Sequence, residues 1–154
     1  MAGTRASVPR PALVLGVAGA APFVAGALAM LVGPGWLKLT AYVYLVNYAA
    51  VALAFVGAVH WGLALAASRA GVAVGWSWYG GSVLPALAGW VALLLIQPAP
   101  KLVLLGLGFA AVFIADVRAE RAGAAPAWYP ALRKPLTIVV LVSLLGALAA
   151  TWRH

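Results

Sequence analysis

Apolar residues run through this chain in long blocks, separated by short stretches of polar or turn-forming residues. Five blocks stand out: Ala12–Val32, Leu39–Ala67, Ser82–Gln97, Leu102–Val117 and Leu136–Trp152. Most are close to or beyond the about 20 apolar residues an α-helix needs to cross a bilayer. The pattern predicts an all-α protein: a polytopic membrane bundle of five transmembrane helices, forming one integral membrane domain over residues 1–154. Pro22 lies mid-block and should kink the first helix, because it cannot donate to the carbonyl of Ala18. The first block also admits a signal-peptide reading, with Arg5 and Arg10 ahead of it and Ala25-Gly26-Ala27 or Ala27-Leu28-Ala29 as the cleavage site. Its length favours a retained span.

The second block is longer than a bilayer requires and should tilt or protrude. Ser68–Gly81 reads as an interfacial loop, its Trp76, Trp78 and Tyr79 suited to the headgroup level. Ser82 reads as the N-cap of the third helix, with Pro85 in its first turn and Pro98 and Pro100 closing it. The polar segment Arg118–Lys134 holds the densest charge.

Composition sharpens the membrane reading. The chain is 66% hydrophobic and only 8% charged, where soluble domains carry about 25% charge. A soluble enzyme, a disordered tail and a DNA-binding domain are excluded. The net charge of +8 does not point to nucleic acid, because the basic residues are scattered between apolar runs rather than gathered on one face. The partners expected are the lipid bilayer and, through the helix faces, other membrane subunits or a second copy. Five crossings put Arg5, Arg10, Arg69, Arg118, Arg121, Arg133 and Lys134 on one side and Lys38, Lys101 and Arg153 on the other. That asymmetry predicts an inside N-terminus and an outside C-terminus. Trp36 and Trp152 then mark the outer boundary, and Trp76, Trp78, Trp128 and Tyr129 the inner one. With no cysteine, disulfides, thiolate metal sites and cysteine nucleophiles are impossible.

Helices in lipid join through small residues and interhelical hydrogen bonds rather than apolar burial. At about 100° per residue, Asn47, Val51, Ala54, Ala58 and Trp61 share a face of the second helix. This stripe reads as a packing face, with Asn47 as interhelical glue or a ligand contact. Gly16, Gly19, Ala20 and Ala27 form a similar stripe on the first helix, and Ser143, Gly146, Ala147 and Ala150 on the fifth.

Few residues are left to carry chemistry. His60 lies about 140° from Asn47 and in line with Tyr42, Ala49 and Leu53. An ionisable residue within a span is a functional hypothesis by default. It reads as a structural histidine bonded to a carbonyl or to Asp116, as a proton-handling or ligand-contact group, or as a haem or metal ligand. A bis-histidine site would need a second buried histidine, and His154 is at the opposite end, so only a homo-oligomer could bring two copies of His60 together. Asp116 could meet His60 between the second and fourth helices. Distance from the flanking arginines, however, puts His60 deeper by roughly 10 Å. Pairing of Asp116 and Glu120 with Arg118, Arg121 or Arg69 at the interface is therefore favoured. Trp90, mid-span, reads as packed in the bundle with its indole N–H bonded to a polar group, or as a ligand-stacking platform. Packing is also the reading for Trp61. No catalytic constellation, metal motif or cofactor motif is present.

Several motifs together carry a resemblance: Gly57-Ala58-Val59-His60-Trp61-Gly62, Ser82-Val83-Leu84-Pro85, Trp90, Asp116, Pro126-Ala127-Trp128-Tyr129, Leu132-Arg133 and Leu136-Thr137. In order and spacing the chain resembles a domain-of-unknown-function family similar to the mitochondrial transmembrane protein 69. The resemblance implies a small polytopic protein of the bacterial inner membrane, N-terminus cytoplasmic and C-terminus periplasmic by the charge asymmetry. It brings no catalytic residues with it. The tryptophan-rich sensory protein family shares size, helix number and tryptophan content, but its aromatic signature is absent. The function expected is a non-enzymatic accessory or assembly component of a membrane complex. The alternative is a small-molecule or proton carrier using His60 and Asp116, with Asn47 and Trp90 along the route. No cofactor is expected.

Overall fold

A computed structural model describes residues 7–152, leaving Arg5, Arg153 and His154 of the readings above outside the described residues. Five helices follow in chain order: α1 (Arg10–Val32), α2 (Gly35–Arg69), α3 (Trp76–Leu94), α4 (Pro98–Arg121) and α5 (Trp128–Thr151). Short connections make consecutive helices antiparallel neighbours. The ends at Arg10, Arg69, Trp76, Arg121 and Trp128 gather at one pole, called here the basic end. Lys38 and Lys101 lie toward the other, far end.

α1, α2, α4 and α5 are each long and apolar enough to cross a membrane. α3 is not among them, so four of the five expected transmembrane helices meet the length and apolarity of a span. Its 19 residues reach about 28 Å, but its first two turns are Trp76-Ser77-Trp78-Tyr79-Gly80-Gly81-Ser82. Aromatic rings, hydroxyls and glycines there take the place of aliphatic side chains.

The helices also outrun the apolar blocks. Ser82 is not a cap: it lies inside α3, its hydroxyl donating to the Tyr79 carbonyl at 2.6 Å. Pro85 is likewise interior to α3. Pro98 opens α4 instead of closing α3, because a first-turn proline loses no helical hydrogen bond. The polar segment Arg118–Lys134 is mostly helical, with only a short connection between Arg121 and Trp128. Arginine and lysine are good helix formers, so a helix continues where its hydropathy stops. Gly71 and Gly123 end α2 and α4 with φ of 79° and 73°, a left-handed conformation that lets Val72 N–H and Ala124 N–H donate back to Ala67 and Ala119.

Glycines set the closest approaches. A Cβ on Gly57 would meet the Pro85 ring at 2.7 Å, and one on Gly89 the Ala50 carbonyl oxygen at 3.0 Å, so α2 and α3 touch almost backbone to backbone. Gly26 abuts Leu45, and Gly108 abuts Leu53. The small-residue stripes of α1 and α5 do face neighbours: Ala20, Ala27, Ser143, Ala147 and Ala150 are buried. Phe23, Met30, Leu45, Leu53, Leu105 and Phe109 fill the core between them. The α1 segment is thus a structural part of the bundle.

The proposed stripe on α2 is a correction. Asn47, Val51, Ala58 and Trp61 point outward, and the buried face is Leu45, Ala49, Leu53, Val56, Gly57 and Ala64. Small size does not mark the buried side when both sides are apolar. The line of Ala49, Leu53 and His60 is the inward one.

Candidate functional site

α2 turns His60 inward because it follows Leu53 by seven residues, nearly two full turns. α4 buries Asp116 on its inward line with Phe109, Val112 and Ala119. α5 presents Tyr129, Arg133 and Thr137 at intervals of four, so they stack along one face. These three faces converge at the basic end.

Asp116 is fully buried, at 0% exposure. Its Oδ2 accepts a hydrogen bond from Arg133 Nε at 3.0 Å. Its Oδ1 lies 3.4 Å from His60 Nε2, longer than a well-formed hydrogen bond. Tyr129 lies near the same carboxylate. One acid therefore ties α2, α4 and α5 together. Several polar atoms here are buried without a hydrogen-bond partner: His60 Nε2, Asp116 Oδ1, Arg133 Nη2 and Thr137 Oγ1. A buried donor or acceptor without a partner costs about 1–3 kcal/mol, and two of these atoms, His60 Nε2 and Asp116 Oδ1, face each other at 3.4 Å.

The favoured pairing of Asp116 with Arg118, Arg121 or Arg69 is overturned. Its partner is Arg133 on α5, and His60 lies within contact distance despite the depth difference inferred from flanking charges. That inference assumed that arginines mark one common depth. α4 instead carries Asp116 inward while Arg118, two residues on, is exposed. Arg133 and Tyr129 enter the sequence reading through the charge count, the aromatic belt and the motifs of the family resemblance, not as partners of Asp116. Their i, i+4 spacing with Thr137 is the signal in the sequence, and an apolar block that begins at Leu136 hides it.

The other expected positions do not join this site. Asn47 is exposed and its amide donates to Val43 O of its own helix at 2.8 Å. Trp90 is 59% exposed on the outer side of α3, so it is not a packed core residue. Trp61 is partly exposed and stacks edge-on with Tyr79, ring centroids 5.0 Å apart. Among the described residues, no three His, Cys, Asp or Glu side chains converge to hold a metal ion.

Open space lies on both sides of the cluster. A crevice of about 350 Å³ at the basic end is lined by His60, Trp78, Gly81, Ala115 and Arg118. A second, of about 250 Å³, shares His60, Gly81 and Ala115 and continues between α3 and α4 to Ala88 and Gly108. Across the cluster, Arg133 lines a separate cavity of about 310 Å³ among α1, α2, α4 and α5. His60 faces one space, Arg133 the other, and Asp116 sits between them.

Long apolar helices whose ionisable residues are drawn into the bundle interior define a polytopic helical membrane protein. Residues 8–149 match the family described as Protein of unknown function (DUF3429), and the chain belongs to that family. It is 38% identical over 143 residues to Transmembrane protein 69 of Xenopus tropicalis, a match covering 91% of this chain and 54% of the relative. The chain thus spans about half the length of that curated relative. No solved structure matches.

Proposed function

We propose that the protein is a non-enzymatic carrier for protons or a small molecule in the bacterial inner membrane, with His60 and Asp116 as the exchanging groups. The observation that carries this reading is the position of His60. It touches a fully buried carboxylate on one side and lines an open crevice on the other. A structural Arg133–Asp116 pair would need no imidazole at the crevice wall. Histidine can accept a proton on one nitrogen and donate from the other, so it suits the step between the crevice and Asp116. Arg118 and Trp78 border the outer part of that crevice, and Arg133 holds the carboxylate in place. The excess of basic residues at this end supports a cytoplasmic basic end and N-terminus, with the far end periplasmic.

The test is proton flux into proteoliposomes, followed with an entrapped pH-sensitive dye under an imposed gradient. The unmutated protein should show flux that His60→Ala abolishes while the variant stays folded. An unmutated protein that moves neither protons nor any member of a broad solute panel would sink the reading.

A second reading, an accessory or assembly component of a membrane complex, has its own support in α3. This helix has an outward face of Leu84, Leu87, Trp90 and Val91, and it is the helix whose composition falls short of a span. A partner helix seated on that face would cover it. Stable co-purification with another membrane protein from native membranes supports this reading, and recovery as a free monomer or homo-oligomer in mild detergent counts against it.

A further inference from the structure

The cavity on the Arg133 side has a composition unlike that of the crevice. Its walls are apolar, with Phe23, Phe55, Phe109 and Val140 among them. Tyr48 also lines it, but its hydroxyl already donates to Gly19 O at 2.9 Å. Among the described residues, Arg133 is the one charged side chain in the lining. Its guanidinium uses Nε on Asp116, while its buried Nη2 has no partner. A guanidinium is a donor fork shaped for carboxylate or phosphate, and the Arg133 side chain keeps 11% of its surface accessible beside this cavity.

The rim shows where an occupant enters. Leu15, Val51 and Phe55 border the cavity and are 71%, 68% and 73% exposed. These side chains face hydrocarbon, so the opening between α1 and α2 gives onto the bilayer. Depth orders the site in the same way. Arg133 lies near the start of α5, and Val140 is deeper in the membrane by about 10 Å at 1.5 Å per residue. A polar group at Arg133 with a chain running toward Val140 lies as a lipid does in its leaflet. The sign of the head follows from the surroundings. Arg10, Arg69, Arg118, Arg121 and Lys134 gather at this end against Asp116 and Glu120, so an anion is attracted there.

We infer that this cavity binds a membrane amphiphile with an anionic head, a carboxylate or a phosphate, held by Arg133 with its acyl chain between α1 and α2. The site does not depend on proton movement through His60. It is tested by native mass spectrometry of the full chain released from detergent in the presence of oleate, dioleoyl phosphatidylglycerol or dioleoyl phosphatidylcholine. Retained adducts should be at least about tenfold more abundant with oleate or phosphatidylglycerol than with phosphatidylcholine, a discrimination of about 1.4 kcal/mol. Oleate retained alone identifies a free fatty acid site, phosphatidylglycerol alone a phospholipid site, and both together the shared anionic head. Ala52→Phe, which fills the cavity without touching Arg133, should remove the adducts. So should the double variant Asp116→Asn/Arg133→Gln, which leaves no unpaired charge behind. Equal retention of phosphatidylcholine overturns the inference, as do undiminished adducts in both variants when each is folded by thermal unfolding. The measurement needs no transport, so a protein without proton flux can still pass it.

Discussion

The middle of the bundle and its basic end are held together in different ways. In the middle, Phe23 meets Tyr48 and Phe109 edge-on, with ring centroids 5.2 and 5.6 Å away. Gly26, Gly57, Gly89 and Gly108 let neighbouring side chains or backbone come close. At the basic end, one carboxylate joins three helices through His60 and Arg133. Lipid is as apolar as leucine, so neither region gains from leaving water as a soluble core does. The middle is joined by shape. The basic end is joined by charge, and the groups around that charge are left incompletely satisfied.

Breaking the charge should cost most. Arg133→Leu leaves Asp116 buried and uncompensated, and Asp116→Leu does the same to Arg133. Each is expected to lose about 3–5 kcal/mol, and the double variant to recover most of that loss. Reversible denaturation of the protein in mixed micelles measures all three. Single losses no greater than those from substitutions in the middle would erase the distinction between the two regions.

The middle should respond to shape in a graded way. Gly57→Val drives a side chain against the Pro85 ring and the Ser82 carbonyl, neither of which can turn aside. A cost of about 1–3 kcal/mol is expected from overpacking. Gly108→Ala meets a shorter distance, 2.6 Å, but the atom there is the Leu53 Cδ2 tip. Its cost should be the smaller of the two in the same assay, since a leucine tip can rotate. The reverse order would mean that α2 and α3 are free to separate. Tyr48→Phe removes the interhelical bond to Gly19 and little else. Interhelical hydrogen bonds in membranes average about 0.6 kcal/mol, so the loss should be near that figure.

The same contrast explains what could be read from the sequence. Hydropathy finds apolar blocks, and four of them correspond to helices that can span. It does not find helix ends, because Arg118, Arg121, Arg133 and Lys134 continue helices that the apolar pattern had stopped. That truncation concealed Tyr129, Arg133 and Thr137 as one face of α5. His60 and Asp116 are legible as rare ionisable residues, but Arg133, the partner of Asp116, lies in what reads as a polar connecting segment. Facing was hardest to read. A soluble helix announces its inner side by polarity, whereas α2 is apolar on both sides and its glycines, alanines and lone asparagine are divided between them.

Asn47 is the sharpest test of that last point and should give the smallest effect. Its spacing with Val51, Ala54 and Ala58 suggests a packing stripe, yet the side chain is exposed and its amide returns to Val43 O at 2.8 Å. The hydrogen bond is satisfied within one helix and joins nothing. Asn47→Leu should therefore change stability by less than about 0.5 kcal/mol, as outward substitutions generally do, and should leave the oligomeric state in detergent unchanged. A loss larger than that of Tyr48→Phe, together with a shift in oligomeric state, would give the amide a partner on a second chain. The outward face of α2 would then be joined by polar contact like the basic end, and the division of this molecule into a part held by shape and a part held by charge would stop at the single protomer.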